Sequence, residues 1–226
     1  AVNSRQGKNL IGTFYQPDFV LIDISILNNL PRREMICGYG EILKHALILN
    51  RNFFLWLCKN AKKIINGKNK KVTKLAIIQS CKIKSKIVSL DEKEKNLRMI
   101  LNFGHTFAHA IEVRNNYSKN ITHGEAVLAG MILATKLSLI KKICNKKVLD
   151  DLVEIYTANN LNYAFNKYKS PKKINSLIPY LKNDKKNNDE KINFILLNRI
   201  GKTTMPNKYK ISINELKKNI KRLTQY

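Results

Sequence analysis

The chain is 226 residues long, carries 42 basic against 16 acidic residues for a net charge of +26, and is 44% hydrophobic. That length and apolar content suffice for one or two packed domains, and the longest apolar stretch, 126–134, is too short to span a bilayer. The four cysteines, Cys37, Cys58, Cys81 and Cys144, show no C-x-x-C spacing, which excludes a disulfide scaffold or cysteine-zinc ribbon and suits a reducing, cytoplasmic setting.

The positive charge is spread along the chain together with asparagine, with denser runs at 59–71, 82–86 and 141–147. No helix-turn-helix, zinc-finger or RNA-binding signature accompanies it. Neither a specific nucleic acid nor a membrane is expected as a partner, and the charge, read as background, favours anionic substrates and nonspecific polyanion binding.

Residues 1–31 open at Ala1 in a polar segment and read as the tail of another domain within a longer protein. Two apolar runs follow, split by the turn signal Tyr15-Gln16-Pro17-Asp18, and Phe19-Val20-Leu21-Ile22-Asp23 has the pattern of a buried strand. Pro31 suits the first turn of a helix, along which Met35, Tyr39, Ile42, Leu43, Ala46 and Leu47 form a core-facing stripe. Glu41, Lys44 and His45 fall off that stripe. Glu41 and Lys44 are three apart and project toward one place, as a functional pair or as an ordinary surface pair. Gly38 and Gly40 cost this helix stability, which points to close backbone packing at both.

A second helix is predicted over 51–67, with Phe53, Phe54, Trp56 and Leu57 as apolar bulk and Gly67 as its stop. A third is predicted over 73–89, with Leu75, Ile78, Ile83 and Ile87 inward. Asp91-Glu92-Lys93-Glu94 is a charged turn. Arg98 then offers a planar fork suited to a carboxylate or phosphate, with Asn102 four residues on. A polar loop at 114–120 leads to an apolar helix over 124–140, headed by His123 and closely packed through Val127, Gly130, Met131 and Ala134. Helices are predicted at 147–157 and 171–182, and a hairpin of 192–197 with 203–211 through Gly201. A last helix, capped by Ser212 or Asn214, runs to about 223.

Three of the four histidines gather in one region. His105 and His109 are four apart and share a helix face, and His123 follows in His123-Gly124-Glu125. Neutral imidazoles with a carboxylate make a zinc-type ligand set, with one position left open where the metal is catalytic. A bare pair at this spacing also fits packing or capping, and His123 alone also fits a helix start.

The stretch Leu101-Asn102-Phe103-Gly104-His105-Thr106-Phe107-Ala108-His109-Ala110-Ile111-Glu112 resembles the LNxGHTxGHAxE signature of the 3-dehydroquinate synthase family, with Ala108 in place of a glycine. Gly38-Tyr39-Gly40-Glu41-Ile42-Leu43-Lys44 is similar to the family's GxAEVIK motif, and the run from Lys84 through Glu94 to Arg98 keeps the spacing of its KxxVVxxDExExGxR pattern. Ile26-Leu27-Asn28-Asn29-Leu30-Pro31 resembles LxTLP, with Asn29 where threonine is usual, and Asp184-Lys185-Lys186 with 191–198 is similar to DKKxxxGxxxFVLLxxIG. The resemblance spans about 7–201.

It implies a mainly α fold, the C-terminal helical domain of the dehydroquinate synthase-like fold with a short β-hairpin near its end. A β-containing remnant of the nucleotide-binding α/β domain would precede it, with 1–31 as that domain's tail and 32–226 as the helical metal- and substrate-binding domain. Glu41, His105 and His123 are then the metal ligands, a set that favours Zn2+ or Co2+ over magnesium. Lys44, Lys84, Glu94, Arg98, Asn102 and His109 are the catalytic groups, and Asn9, Lys185 and Lys186 bind substrate. Lys8, Ile26, Leu27, Asn28 and Asn29 lie along NAD.

The implied reaction converts 3-deoxy-D-arabino-heptulosonate 7-phosphate to 3-dehydroquinate and phosphate in the shikimate pathway, by transient oxidation, phosphate elimination, reduction and an intramolecular aldol closure. The implied partners are this anionic sugar phosphate, the N-terminal nucleotide-binding domain of the same chain, and a second copy in a homodimer. The glycine-rich phosphate loop of a dinucleotide fold is not among these residues, so the chain alone is expected to bind metal at best and to lack turnover. Other sugar-phosphate cyclases and metal-dependent polyol dehydrogenases share the helical metal domain, but Asn102, His109 and Arg98 together favour dehydroquinate synthase. A basic nucleic-acid-binding helical protein accounts for the charge and for none of the motif spacing.

Overall fold

Helix starts are marked in this chain by asparagine and serine. The structure, a computed structural model, describes residues 2–4, 7–13, 15–181 and 191–225, with backbone only at 3–4 and 7–10. Strands β1 (Val2–Ser4) and β2 (Gly7–Ile11) pair antiparallel. A 3-10 turn, Ile24–Asn29, begins where the Asp23 side chain accepts the Ser25 N–H. Helices α1 (Arg32–Leu49), α2 (Arg51–Ile65) and α3 (Lys70–Leu90) follow. Asn50 and Asn69 cap the last two by accepting the N–H of Phe53 and Val72, which satisfies donors that a helix start leaves open.

A second 3-10 segment, Leu97–Asn102, leads into α4 (His105–Arg114) and α5 (His123–Ile140). The α5 start is a reciprocal capping box between Thr122 and Glu125. After α6 (Lys146–Asn159) the chain makes three short helices, α7 (Tyr163–Asn166), α8 (Pro171–Asn175) and α9 (Ile178–Leu181). The helix predicted over 171–182 is therefore two, broken at Ser176-Leu177.

The predicted hairpin is a nested pair of two-stranded ladders: β3 (Lys191–Phe194) with β6 (Tyr209–Ser212), and β4 (Leu197–Arg199) with β5 (Lys202–Thr203). Its tip turns through Gly201 at φ +84°, against the backbone of Arg51. Ser212 caps α10 (Ile213–Lys218), and α11 (Ile220–Thr224) follows.

The centre of the fold is α5. Its length and composition would let it cross a bilayer, yet most of it is buried inside the protein, against α1, α4, α6 and α7. A helix apolar on every side belongs in a core. Two polar groups tie distant elements to it: Ser138 Oγ accepts the Leu197 N–H at 2.9 Å, and Lys136 Nζ donates to the Leu223 carbonyl at 3.0 Å while lying 4.8 Å from the Phe165 ring.

Three further expectations fail. Phe19, Val20, Leu21 and Ile22 are not a buried strand; they run irregularly and are 50–80% exposed, with no strand beside them among the described residues to take up their backbone groups. On α3, Ile83 and Ile87 face inward as predicted, but Leu75 and Ile78 are exposed and Thr73, Ala76 and Ser80 take the buried face. Those small residues let α3 lie close to its neighbours, so volume and not hydropathy chose the face. Finally, Gly40 packs against Leu128 and the Gly124 carbonyl, but Gly38 meets open space. Gly38→Ala should therefore raise stability by about 0.5–1 kcal/mol, read as a higher denaturant midpoint at unchanged slope.

Candidate metal centre

Three helices bring the predicted ligands together. Glu41 projects from α1, His105 opens α4 and His123 opens α5, and one ligand atom from each lies within 4.8 Å of the others. Glu41 Oε1 stands 3.7 Å from His105 Nε2 and 3.8 Å from His123 Nε2, too far for hydrogen bonds. It is buried with no hydrogen-bond partner. An orphaned carboxylate oxygen facing two imidazole nitrogens fits a divalent cation, since tetrahedral ligands about 2.1 Å from zinc lie roughly 3.4 Å apart.

Each ligand is held from behind. Lys44 Nζ donates to the other Glu41 oxygen at 2.6 Å. His123 Nδ1 lies 3.0 Å from Glu112 Oε1, and His105 Nδ1 lies 3.4 Å from the Phe103 carbonyl. Both contacts leave Nε2 facing the centre: a carboxylate holds His123 and a backbone carbonyl holds His105, the two kinds of partner that orient metal-binding histidines. Glu112 is buried and was not singled out in the sequence. Its signal was there: it lies seven residues from His105, two turns along the same face, in a chain poor in acids.

Electrostatics preset the donors. Burial pushes the Glu41 carboxyl up, but the charge and hydrogen bond of the adjacent Lys44 ammonium oppose it and hold the group below the usual carboxylate range. Burial, reinforced by Lys44, drives His105 down and keeps it neutral. Both groups are in ligand form at neutral pH. Lys44 is itself buried, and its pKa is lowered by burial against the restoring pull of Glu41.

Around this centre, the His109 ring stands edge-on to His105 with centroids 5.5 Å apart. Asn102 Nδ2 donates to Glu94 Oε1 at 2.8 Å, so Glu94 orients an amide. Glu94 itself has a φ of +53°, a backbone cost that the surrounding loop must sustain. That loop is organised by Asp91, another residue not anticipated from the sequence. Its carboxylate accepts the N–H groups of Arg98, Lys95 and Asn96 at 2.8–2.9 Å, and Arg98 Nη1 donates to the Glu92 carbonyl. Lys84 is exposed on α3, and its charge bears on Lys44 and His45.

Ile26, Leu27, Asn28 and Asn29 lie in the 3-10 turn, where Leu27 and Asn28 help line a cavity of about 450 Å3 with Arg32 and Lys68 on its wall. The side chains of Lys8 and Asn9, and all of Lys185 and Lys186, lie outside the described residues.

His45 is buried next to Lys44, with Nδ1 2.7 Å from Ser80 Oγ. Burial and then Lys44 push its pKa from 6.5 to about 4. The folded state thus prefers neutral His45, so this stability is whole above pH 6.5 and drains as pH falls toward 4. By pH 5 about 2 kcal/mol should be lost at this site. In His45→Gln, which can still bond Ser80, the difference between urea midpoints at pH 7 and pH 5 should shrink accordingly.

Close backbone contacts fix how the ligand helices cross. Gly104 sits at φ +80°, and a Cβ there would lie 2.7 Å from Met131 Cγ; one on Gly130 would lie 2.1 Å from the Gly104 carbonyl oxygen. A Cβ on Gly124 would lie 2.2 Å from Cys37 Cα on α1. His105 follows the first contact and His123 precedes the second, so both imidazoles are set by helix crossings that tolerate no side chain.

Residues 38–187 match the family model for the C-terminal part of 3-dehydroquinate synthase, and residues 1–37 match the one for its N-terminal part. The chain is 50% identical over 214 residues to the 3-dehydroquinate synthase of Pelagibacter ubique, covering 95% of this chain and 57% of that protein. It is 46% identical over 203 residues to that of Dictyoglomus turgidum, covering 89% and 55%. The chain thus spans little more than half the length of the curated relatives it matches. Among solved structures, a 2-epi-5-epi-valiolone synthase from Streptomyces hygroscopicus subsp. jinggangensis with NAD+ and Zn2+ bound superposes at a TM-score of 0.80 and 21% identity, over 98% of this chain and 58% of that one. A 2-deoxy-scyllo-inosose synthase complexed with carbaglucose-6-phosphate, NAD+ and Co2+ gives 0.74 at 28% identity, over 98% and 61%. The first likeness concerns the fold alone, while the family models and the sequence relatives reach further: this chain belongs to the 3-dehydroquinate synthase family.

Proposed function

We propose that this chain is the metal- and substrate-binding part of a cytoplasmic 3-dehydroquinate synthase, a carbon-oxygen lyase that releases phosphate from 3-deoxy-D-arabino-heptulosonate 7-phosphate. In this reading 1–31 is the tail of the nucleotide-binding domain, 32–226 is the helical domain, and the whole enzyme is a homodimer. The observation that carries it is the convergence of Glu41, His105 and His123 on one point, with an orphaned Glu41 oxygen between the imidazoles.

Glu41, His105 and His123 hold Zn2+ or Co2+, and the turn 26–29, with Lys8, flanks NAD. When bound, the metal supplies Lewis acidity to a substrate hydroxyl and NAD supplies reversible hydride uptake. The chain's own residues do the rest. Lys44 keeps Glu41 in one rotamer through its 2.6 Å bond and has further N–H donors for a substrate oxygen. Arg98, with its backbone pinned by Asp91, and Lys84 hold the carboxylate and phosphate ends of the substrate, so that the leaving group stays in eliminating geometry. Asn102, oriented by Glu94, fixes a hydroxyl. His109 stands at the mouth of the site as phosphate ligand or proton carrier. Asn9, Lys185 and Lys186 complete the substrate's anion contacts.

The test is metal content after dialysis, on the parent and on His105→Ala. One zinc retained by the parent and lost in the variant supports the reading. Equal metal in both, or turnover in the intact enzyme that survives chelation and His105→Ala alike, would overturn it.

A further inference from the structure

Arg33 lies on α1 eight residues before Glu41, about two helical turns away, and is not among the groups assigned above. Its guanidinium grips Glu125 with both arms, Nε to Oε1 at 2.8 Å and Nη2 to Oε2 at 2.6 Å. It also donates to the carbonyls of Lys119 at 2.8 Å and Asn120 at 3.0 Å. Glu125 in turn accepts the Thr122 N–H at 2.9 Å, as one half of the capping box.

His123 therefore stands inside a bracket. The loop before it and the residue two positions after it are both fastened to α1, the helix that carries Glu41. Of the two imidazoles His123 is the more open, 45% exposed at its side chain against 14% for His105. Glu112 sets the rotation of its ring but cannot set the position of its Cα. A simple surface ion pair could not be relied on to do so. A two-armed fork on a carboxylate only 8% exposed is directional.

The geometry points to Arg33 and Glu125 as positioning residues for the metal ligand His123, setting the gap between the carboxylate on α1 and the imidazole on α5. This rests on the metal-site reading above. It places part of the metal site's precision in an ion pair that touches neither metal nor substrate.

The experiment measures Zn2+ affinity by chelator competition and the visible absorption spectrum of the Co2+ form, using the full chain as parent. The variants are Arg33→Gln, Arg33→Lys, Glu125→Gln, the Gln/Gln double and His105→Ala, each with the melting temperature of its metal-free form. Arg33→Gln and Glu125→Gln should each weaken zinc about tenfold or more and alter the Co2+ spectrum. The double variant should be little worse than either single one, because the two side chains act as a unit, and Arg33→Lys should recover part of the affinity. Lower melting temperatures with zinc affinity and Co2+ spectrum unchanged would overturn the inference and leave the pair as a structural tie. A parent that binds zinc and loses it in His105→Ala sustains the site reading whatever Arg33 does; a parent that binds none overturns both.

Discussion

Glu41→Gln will weaken zinc binding by about a hundredfold or more while leaving α1 folded, because three protein ligands share a binding free energy on the order of 10 kcal/mol and one of them loses its charge. Glutamine keeps the length and one carbonyl oxygen, so the 2.6 Å contact with Lys44 can survive as a neutral acceptor. What disappears is the anion facing both imidazoles. Lys44 then stays buried without its counter-charge, and its pKa, already lowered by burial and held up by Glu41, falls further. A buried ammonium stripped of its partner is costly unless it gives up its proton, so the metal-free variant should be less stable at pH 6 than at pH 9. Glu112→Gln is the graded comparison: it can still hold the His123 ring through its amide oxygen and should cost roughly 10–100-fold in affinity. Chelator competition on both variants gives the order directly. Equal losses would mean that Glu41 acts only from behind, as Glu112 does.

Of the three side chains that converge, His105 and His123 open helices, whereas Glu41 lies mid-helix in α1, and it was the motif resemblance that grouped it with them. His105 and His109 share a face by periodicity, and His123 follows directly on the capping residue Thr122. Ser212 was readable as a helix cap, whereas Asn50, Asn69 and Asn145 show their capping role only in the folded chain. What escaped was long-range or sterically decided. Arg33 and Glu125 are 92 residues apart, beyond any local pattern. Leu75 and Ile78 have the right hydropathy for a core but the wrong bulk for the face that α3 turns inward. Phe19 to Ile22 carry a strand's composition, yet composition says nothing about whether a neighbouring strand is there to receive it. Asp91 looked like one acid in a charged turn; only the folded loop shows three N–H groups converging on it.

The helix crossing beneath the ligands supplies the second large effect. Gly130→Ala should destabilise the protein by about 3 kcal/mol or more, at the upper end for overpacking. The added methyl would sit 2.1 Å from the Gly104 carbonyl oxygen and 3.0 Å from the Ala108 nitrogen. Both atoms are backbone, so no side chain can swing aside, and relief requires α4 to shift as a unit. His105 is the first residue of α4, so any such shift moves one of the three proposed ligands. The variant should therefore lose both stability and metal affinity, whereas Gly38→Ala, one methyl added where nothing lies within 4 Å, should gain stability and leave affinity alone. Urea midpoints and zinc competition on the two variants separate the possibilities. If Gly130→Ala lost stability and kept full metal affinity, the crossing would be a packing feature only, and the position of His105 would have to be fixed from within α4.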